Sequence, residues 1–280
     1  MLGFALSSLG CGRSGSTGNP GAPSAVPPVS PPETLSVRIL SGGTHQAVSG
    51  ARVVIGGQEY STDQNGFVPP LPRTSRGADV DVQEAGYLPR ATQLGANNDQ
   101  TVTLWPIANV AEADAIHHMV FGRTGRPDSD LFYPPNPGEF FLTIPSADSA
   151  DTAVWAAWKA GAVDFGSTFG ITYVFGTQFM YDQNEITVFF GPDYGCIPAR
   201  LSGFCRASSS YMDFAVATDR ATDPLTIRRV LASQFLGPNP FPGLLNPDAP
   251  ADTLSPFEMQ TIRMILQRPL KLRWPDNDRP

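Results

Sequence analysis

The sequence predicts a β-sandwich domain followed by an α+β domain, and three patterns carry that expectation. Residues 34–105 run in short alternating apolar and polar stretches, broken by turn residues about every ten positions. Residues 106–280 instead interleave strand-like runs with segments of helical spacing. Ahead of both, residues 12–33 (GRSGSTGNPGAPSAVPPVSPPE) have no apolar pattern to bury. The expected organisation is a signal-like segment over 1–11, a Gly/Ser/Pro-rich linker over 12–33, the sandwich over 34–105 and the α+β domain over 106–280.

In the sandwich, LSVRIL (35–40) alternates and ARVVI (51–55) follows after a loop. Gly56-Gly57 then separates it from EYST, and Asp63-Gln64-Asn65-Gly66 supplies a turn in which positive φ is needed. ADVDVQ (78–83), LPRATQL (88–94) and TVTLW (101–105) complete an antiparallel set. Tyr60, Phe67 and Tyr87 are either core aromatics or a sugar-stacking face, and core packing is the stronger expectation.

Beyond Trp105-Pro106, Ile107 to Phe121 has helical spacing, EFFLTIP (139–145) reads as a strand, and 148–161 reads as a helix. Asp148 or Ser149 is its expected cap and Gly161 its expected stop. ITYVF (171–175), EITVFFG (185–191) and YMDFAVA (211–217) read as strands, and a helix is expected from about Asp223 to Leu236. The last helix opens with Ser255-Pro256-Phe257-Glu258, a Ser cap with Pro at the first helical position and Glu at the third.

Charge narrows the function classes. The 280 residues hold 19 Lys and Arg against 26 Asp and Glu, a net −7, and form no basic stripe, so a nucleic-acid partner is not expected. Lys159 and Lys271 are the only lysines, which excludes a polybasic membrane patch. Cys196 and Cys205 bracket a short loop; a disulfide there would stabilise by roughly 3 kcal/mol, the alternative being two unpaired thiols.

Leu2 to Leu9 is a short apolar segment that ends in small residues before Cys11. Ser8-Leu9-Gly10-Cys11 resembles a bacterial lipobox, although Leu stands one place late and no Lys or Arg precedes the apolar run. The resemblance implies export, lipidation at Cys11, and membrane contact only through that anchor. The Pro-rich linker would then act as a semi-rigid spacer.

The segments VSGARVVI (48–55), STDQNGF (61–67) and EAGY (84–87) resemble the carboxypeptidase regulatory-like, transthyretin-like fold over about residues 34–105, which implies a non-catalytic adaptor. Over about 107–279 the order of elements, and above all LSPFEMQTIRMILQR (254–268) with RWPDNDR (273–279), resembles bacterial lipoprotein-like zincin metalloproteases. A zincin-like domain needs H-E-x-x-H on a helix: two histidines one turn apart bind zinc and the glutamate activates its water. With Gly237 at the glycine turn, the four corresponding positions hold Val230, Leu231, Gln234 and Pro240. The chain's three histidines are His45, His117 and His118, so no shift of register restores the motif.

The expectation is a pseudo-metalloprotease without catalytic residues, metal or cofactor: an exported envelope protein binding a peptide, protein or glycan, with the Val230–Gln234 helix flooring a vacant cleft. One alternative is a hydrolase or peptidase with a non-standard site in E-x-D-x-x-H-H (Glu112, Asp114, His117, His118), where a solvated helix face is the plainer reading. A purely structural envelope protein is the other.

Overall fold

The computed structural model describes residues 34–121, 131–132, 139–145, 151–179, 184–191, 204–206, 212–248, 250–268, 272–274 and 276–279. All of them belong to one compact unit, Glu33–Pro280. The signal-like segment, the linker, Cys11 and Cys196 lie outside the described residues, as does the side chain of Cys205. The protein is of mixed α/β class, with four α-helices and four sheets among the described residues.

The β-rich part comprises β1 (Thr34–Ser41), β2 (Arg52–Ile55), β3 (Gln58–Ser61), β4 (Leu71–Pro72), β5 (Asp79–Gln83), β6 (Arg90–Gln93) and β7 (Asp99–Leu104). Two sheets, ordered β4-β1-β7 and β3-β2-β5-β6, bury a shared core. Alternation sets which residues enter it. Leu35, Val37 and Ile39 from β1 meet Val53, Ile55, Val80 and Val82 from the facing sheet. The expected antiparallel arrangement holds except for one pairing, because β1 and β7 run parallel from Ser36↔Asp99 to Ser41↔Leu104. Parallel neighbours need a long crossover, and here the other sheet supplies it. The turn at Asp63–Gly66 forms as expected: Gly66 has φ +80°, and a β-carbon there would meet the Ile39 carbonyl oxygen at 2.5 Å.

The second part contains α1 (Val110–Phe121), β8 (Leu131–Phe132), β9 (Glu139–Thr143), α2 (Thr152–Phe169), β10 (Thr172–Gly176), β11 (Glu185–Phe190), β12 (Phe204–Arg206), β13 (Met212–Val216), α3 (Pro224–Ser233), α4 (Pro256–Leu266) and β14 (Leu272–Arg273). Its main sheet, β10-β9-β11-β13-β12, is parallel except for the β12 edge. Its central strand β11 is buried from Glu185 to Val188 on both faces, and its run of apolar residues does not alternate, whereas β10 alternates exposed and buried positions at its start.

The cap and stop expected for α2 are both corrected. Asp151 caps the helix by accepting from the Ala153 and Val154 amides, and the helix runs through Gly161 to end at Gly170 with φ +70°. Gly161 serves packing instead. A β-carbon there would lie 2.5 Å from Ile227 Cγ2, so the missing side chain lets α2 approach α3 closely. Trp158, on the same helix and fully buried, donates its indole N–H to the Ala221 carbonyl at 2.9 Å.

Candidate functional site

Helix α3 begins where the sequence places it. Asp223 accepts from the Leu225 and Thr226 amides and, at 2.6 Å, from the Thr226 hydroxyl, with Pro224 in the first turn. Burial pushes the Asp223 carboxyl upward, but those three hydrogen bonds and Arg220 outweigh it and hold the group below its ordinary value. The helix then packs into the main core.

Val230, Leu231 and Gln234 have no exposed surface, whereas Pro240 is exposed. The Gln234 amide is fixed at both ends: Oε1 accepts from the Tyr173 hydroxyl at 3.0 Å and Nε2 donates to the Asn184 carbonyl at 2.8 Å. Burial pushes the Tyr173 phenol far up, so its hydroxyl stays protonated and keeps donating. The three helix positions therefore do not floor a groove; they are core. Two aliphatic side chains and an amide whose oxygen is already engaged do not fit a zinc ion, which takes imidazole, thiolate or carboxylate donors.

The residues of E-x-D-x-x-H-H do not converge on one point. Glu112 reaches back to accept from the Ala108 amide at 2.7 Å, and Asn109 Oδ1 accepts from the Glu112 amide, which makes Glu112 part of the helix start. The His117 ring packs in a cluster with Phe121 and Trp274, with centroids 5.1 and 4.6 Å away and those two rings 5.9 Å from each other. Asp114 and His118 are exposed. Among the described residues, no group of three or more His, Cys, Asp or Glu side chains is placed to hold a metal ion.

Two polar centres escaped the sequence reading. Glu258 forms the expected capping box with Ser255, yet it is also fully buried and accepts from the Leu244 and Leu245 amides and from Asn239 Nδ2 at 2.9–3.0 Å. It thus fixes the loop after α3. The second centre joins the two cores. Arg90 of β6 pairs with Asp278 at 2.9 Å, and Arg268, beyond α4, pairs with Asp276 at 3.1 Å. Both guanidinium groups also donate to the Thr103 carbonyl of β7. Charge spacing in RWPDNDR was the available signal; the 188-residue separation of Arg90 from Asp278 hid the partner.

An open concavity lies on the β-rich part. A groove of about 450 Å³ runs between the start of β1 and the end of β3. Thr34, Ser36, Ser61 and Asp63 contribute polar groups and Phe67, Pro69 and Pro70 an apolar wall. Asp63 Oδ1 is committed to the Asn65 and Phe67 amides. Tyr60 and Tyr87 are half-buried against the core, whereas Phe67 lies under the Arg38 guanidinium on the groove wall.

No family model and no curated protein matches the chain. Among solved structures, a type II cohesin–X-dockerin complex from Acetivibrio cellulolyticus matches at 22% identity and a TM-score of 0.19, over 26% of this chain and 55% of that one. A protein of unknown function from Bacteroides fragilis NCTC 9343, described as membrane-associated, matches at 14% identity and a TM-score of 0.22, over 49% of this chain and 50% of that one. The chain thus spans about half the length of each. No helix among the described residues is long and apolar enough to cross a membrane.

Proposed function

We propose that this chain is a non-catalytic, exported envelope protein that binds a peptide, protein or glycan, with a zincin-like domain that has lost its metal centre and a carboxypeptidase regulatory-like sandwich as adaptor. The observation that carries this reading is Gln234, which stands where a second metal-binding histidine would be and is held inside the core by Tyr173 and Asn184. The order helix, strand, helix, strands, helix, loop, helix expected of such a domain agrees with α1, β9, α2, β10–β13, α3 and α4. Export and anchoring at Cys11 rest on the lipobox-like Ser8–Cys11 and the spacer after it.

Ligand contact is assigned to the groove between β1 and β3 and not to α3. Its volume falls within the ordinary range for small-ligand sites, and hydroxyls beside a proline and phenylalanine wall suit a hydroxyl-rich or extended chain. Calorimetric titration with zinc should show no tight stoichiometric binding; a stoichiometric sub-micromolar site would defeat the reading. In the complementary experiment, peptidoglycan fragments and oligosaccharides are titrated against wild type and Ser61→Arg. Binding that survives this block of the groove would place the ligand elsewhere.

A further inference from the structure

Strand β10 forms one end of the main sheet and pairs, among the described residues, with β9 alone. The amide of Ile144, just past β9, donates to the Gly176 carbonyl at 3.0 Å. Backbone groups alternate in direction along a strand, so Gly176, Val174 and Thr172 turn theirs toward β9. Tyr173 and Phe175 turn theirs outward, where no strand among the described residues receives them. Such an edge is a template for another strand, and edges are ordinarily guarded by charge, proline or a bulge. The β10 sequence, Thr-Tyr-Val-Phe-Gly, has no charged residue and no proline, and its register with β9 runs unbroken.

The two sides of this edge differ. Helix α2 lies over one of them: Trp155 meets Phe175 edge-on with ring centroids 6.1 Å apart, and a β-carbon on Gly166 would lie 3.6 Å from Tyr173 Cδ2. Trp155, Lys159 and Val163 stand four residues apart and so share one stripe of α2. Trp155 is half-buried, while Val163 is 64% exposed. The Lys159 ammonium stands 4.8 Å from the Trp155 ring centre and 5.6 Å from that of Phe175, and it makes no ion pair with any described residue. On the other side of the strand Val174 is 37% exposed.

We propose that the free edge of β10 binds an extended peptide of a partner protein by strand addition, with an acidic side chain of that peptide set against Lys159. The outward groups of Tyr173 and Phe175 take main-chain hydrogen bonds, which give such complexes their affinity. Alternate peptide side chains then face Trp155 and Val163 on one side and Val174 on the other. The cation selects the sign of the peptide's charge. A second copy of this chain fits less well, because antiparallel pairing of two β10 edges about a two-fold axis would set one Lys159 across from the other with like charge. The site is separate from the β1–β3 groove and does not depend on what that groove binds.

The test uses the full chain and two synthetic peptides that alternate valine and threonine and differ only at the central residue, aspartate or lysine. Calorimetry on the wild type should show the aspartate peptide binding about tenfold or more tightly than the lysine peptide. When it is bound, amide exchange at Tyr173 and Phe175 should slow by about tenfold or more, with no change at Val53 in the β-rich core. Lys159→Glu, a change at an exposed position, should reverse the preference. Binding of neither peptide, equal binding of both, or protection at amides other than those of β10 overturns the proposal. So does slow exchange at Tyr173 and Phe175 without peptide in a chain that sediments as a dimer, which would assign the edge to a second copy.

Discussion

Gly161 faces Ile227 with no room for a side chain between them: a β-carbon added at 161 would sit 2.5 Å from Ile227 Cγ2. Both lie inside helices, α2 and α3, and Ile227 is buried. Gly161→Ala should thus destabilise by up to about 2 kcal/mol, since overpacking of about 1–3 kcal/mol is offset by a gain of roughly 1 kcal/mol from replacing a mid-helix glycine. Combining it with Ile227→Ala should cost less than the sum of the two single changes, as the second opens the space that the first needs. Denaturant melts of the four-member cycle read this directly; additive values would show that the helices do not meet there.

The same glycine marks how far the sequence was legible. Most strands of the β-rich part follow from alternation, and the Ser255–Glu258 cap follows from four residues, because local chemistry fixes both. Gly161 was read as a stop because a lone sequence shows its weak helix propensity but not the neighbour that requires it. Parallel pairing of β1 with β7 was equally hidden, since no local turn specifies it. At the expected metal positions the sequence showed which donors were lacking. It did not show that the helix face points into core: Gln234 at an expected cleft position reads as polar surface until Tyr173 and Asn184 are placed beside it.

Glu258 is expected to be the least replaceable side chain after α3. Its carboxylate accepts from Leu244, Leu245, Asn239 and the Ser255 amide, and a glutamine would turn one acceptor toward these donors as a donor. Glu258→Gln should cost about 1–3 kcal/mol, the range for leaving buried polar groups unsatisfied. Gly243→Ala should act through the same centre, because its β-carbon would lie 2.5 Å from the carboxylate. Thermal melts check both. A shift within the scatter of surface variants for E258Q would mean that the loop is held by other contacts.

Asp223 gives a prediction with a defined pH sign. Its native pKa lies below the ordinary 3.8, so its contribution is present above that value and is lost as pH falls through the lower native one. Asp223→Ala should cost about 1 kcal/mol at neutral pH through loss of the cap. Below about pH 4 the gap between variant and wild type should begin to narrow, as the unfolded chain takes up its proton first, and it should close as pH falls through the lower native value, where the folded carboxyl is protonated and caps less well. Stability curves at pH 3 and pH 7 decide it; a gap of equal size at both would assign the cap to geometry without charge.

Arg90 and Asp278 bear on whether the two cores unfold together. Their side chains are 8% and 4% exposed, and among the described residues the Thr92 hydroxyl and Thr103 are their other side-chain hydrogen-bond partners. Breaking a buried ion pair from one side leaves an uncompensated charge and costs about 3–5 kcal/mol. That penalty falls on the junction of the cores, not on either core: Leu35, Val53 and Val82 pack in one cluster and Phe140, Trp158 and Val230 in the other, untouched by the change. Asp278→Ala should therefore do more than lower Tm. Wild type should melt in one calorimetric transition, while D278A should resolve into two, as the coupling that makes a pair of cores behave as one is removed. Arg90→Met, which removes the cation and keeps much of the bulk, should show the same splitting. A single transition in both variants, merely displaced to lower temperature, would mean that α4 packed against Gly42 and Gly43 couples the cores without help from this ion pair.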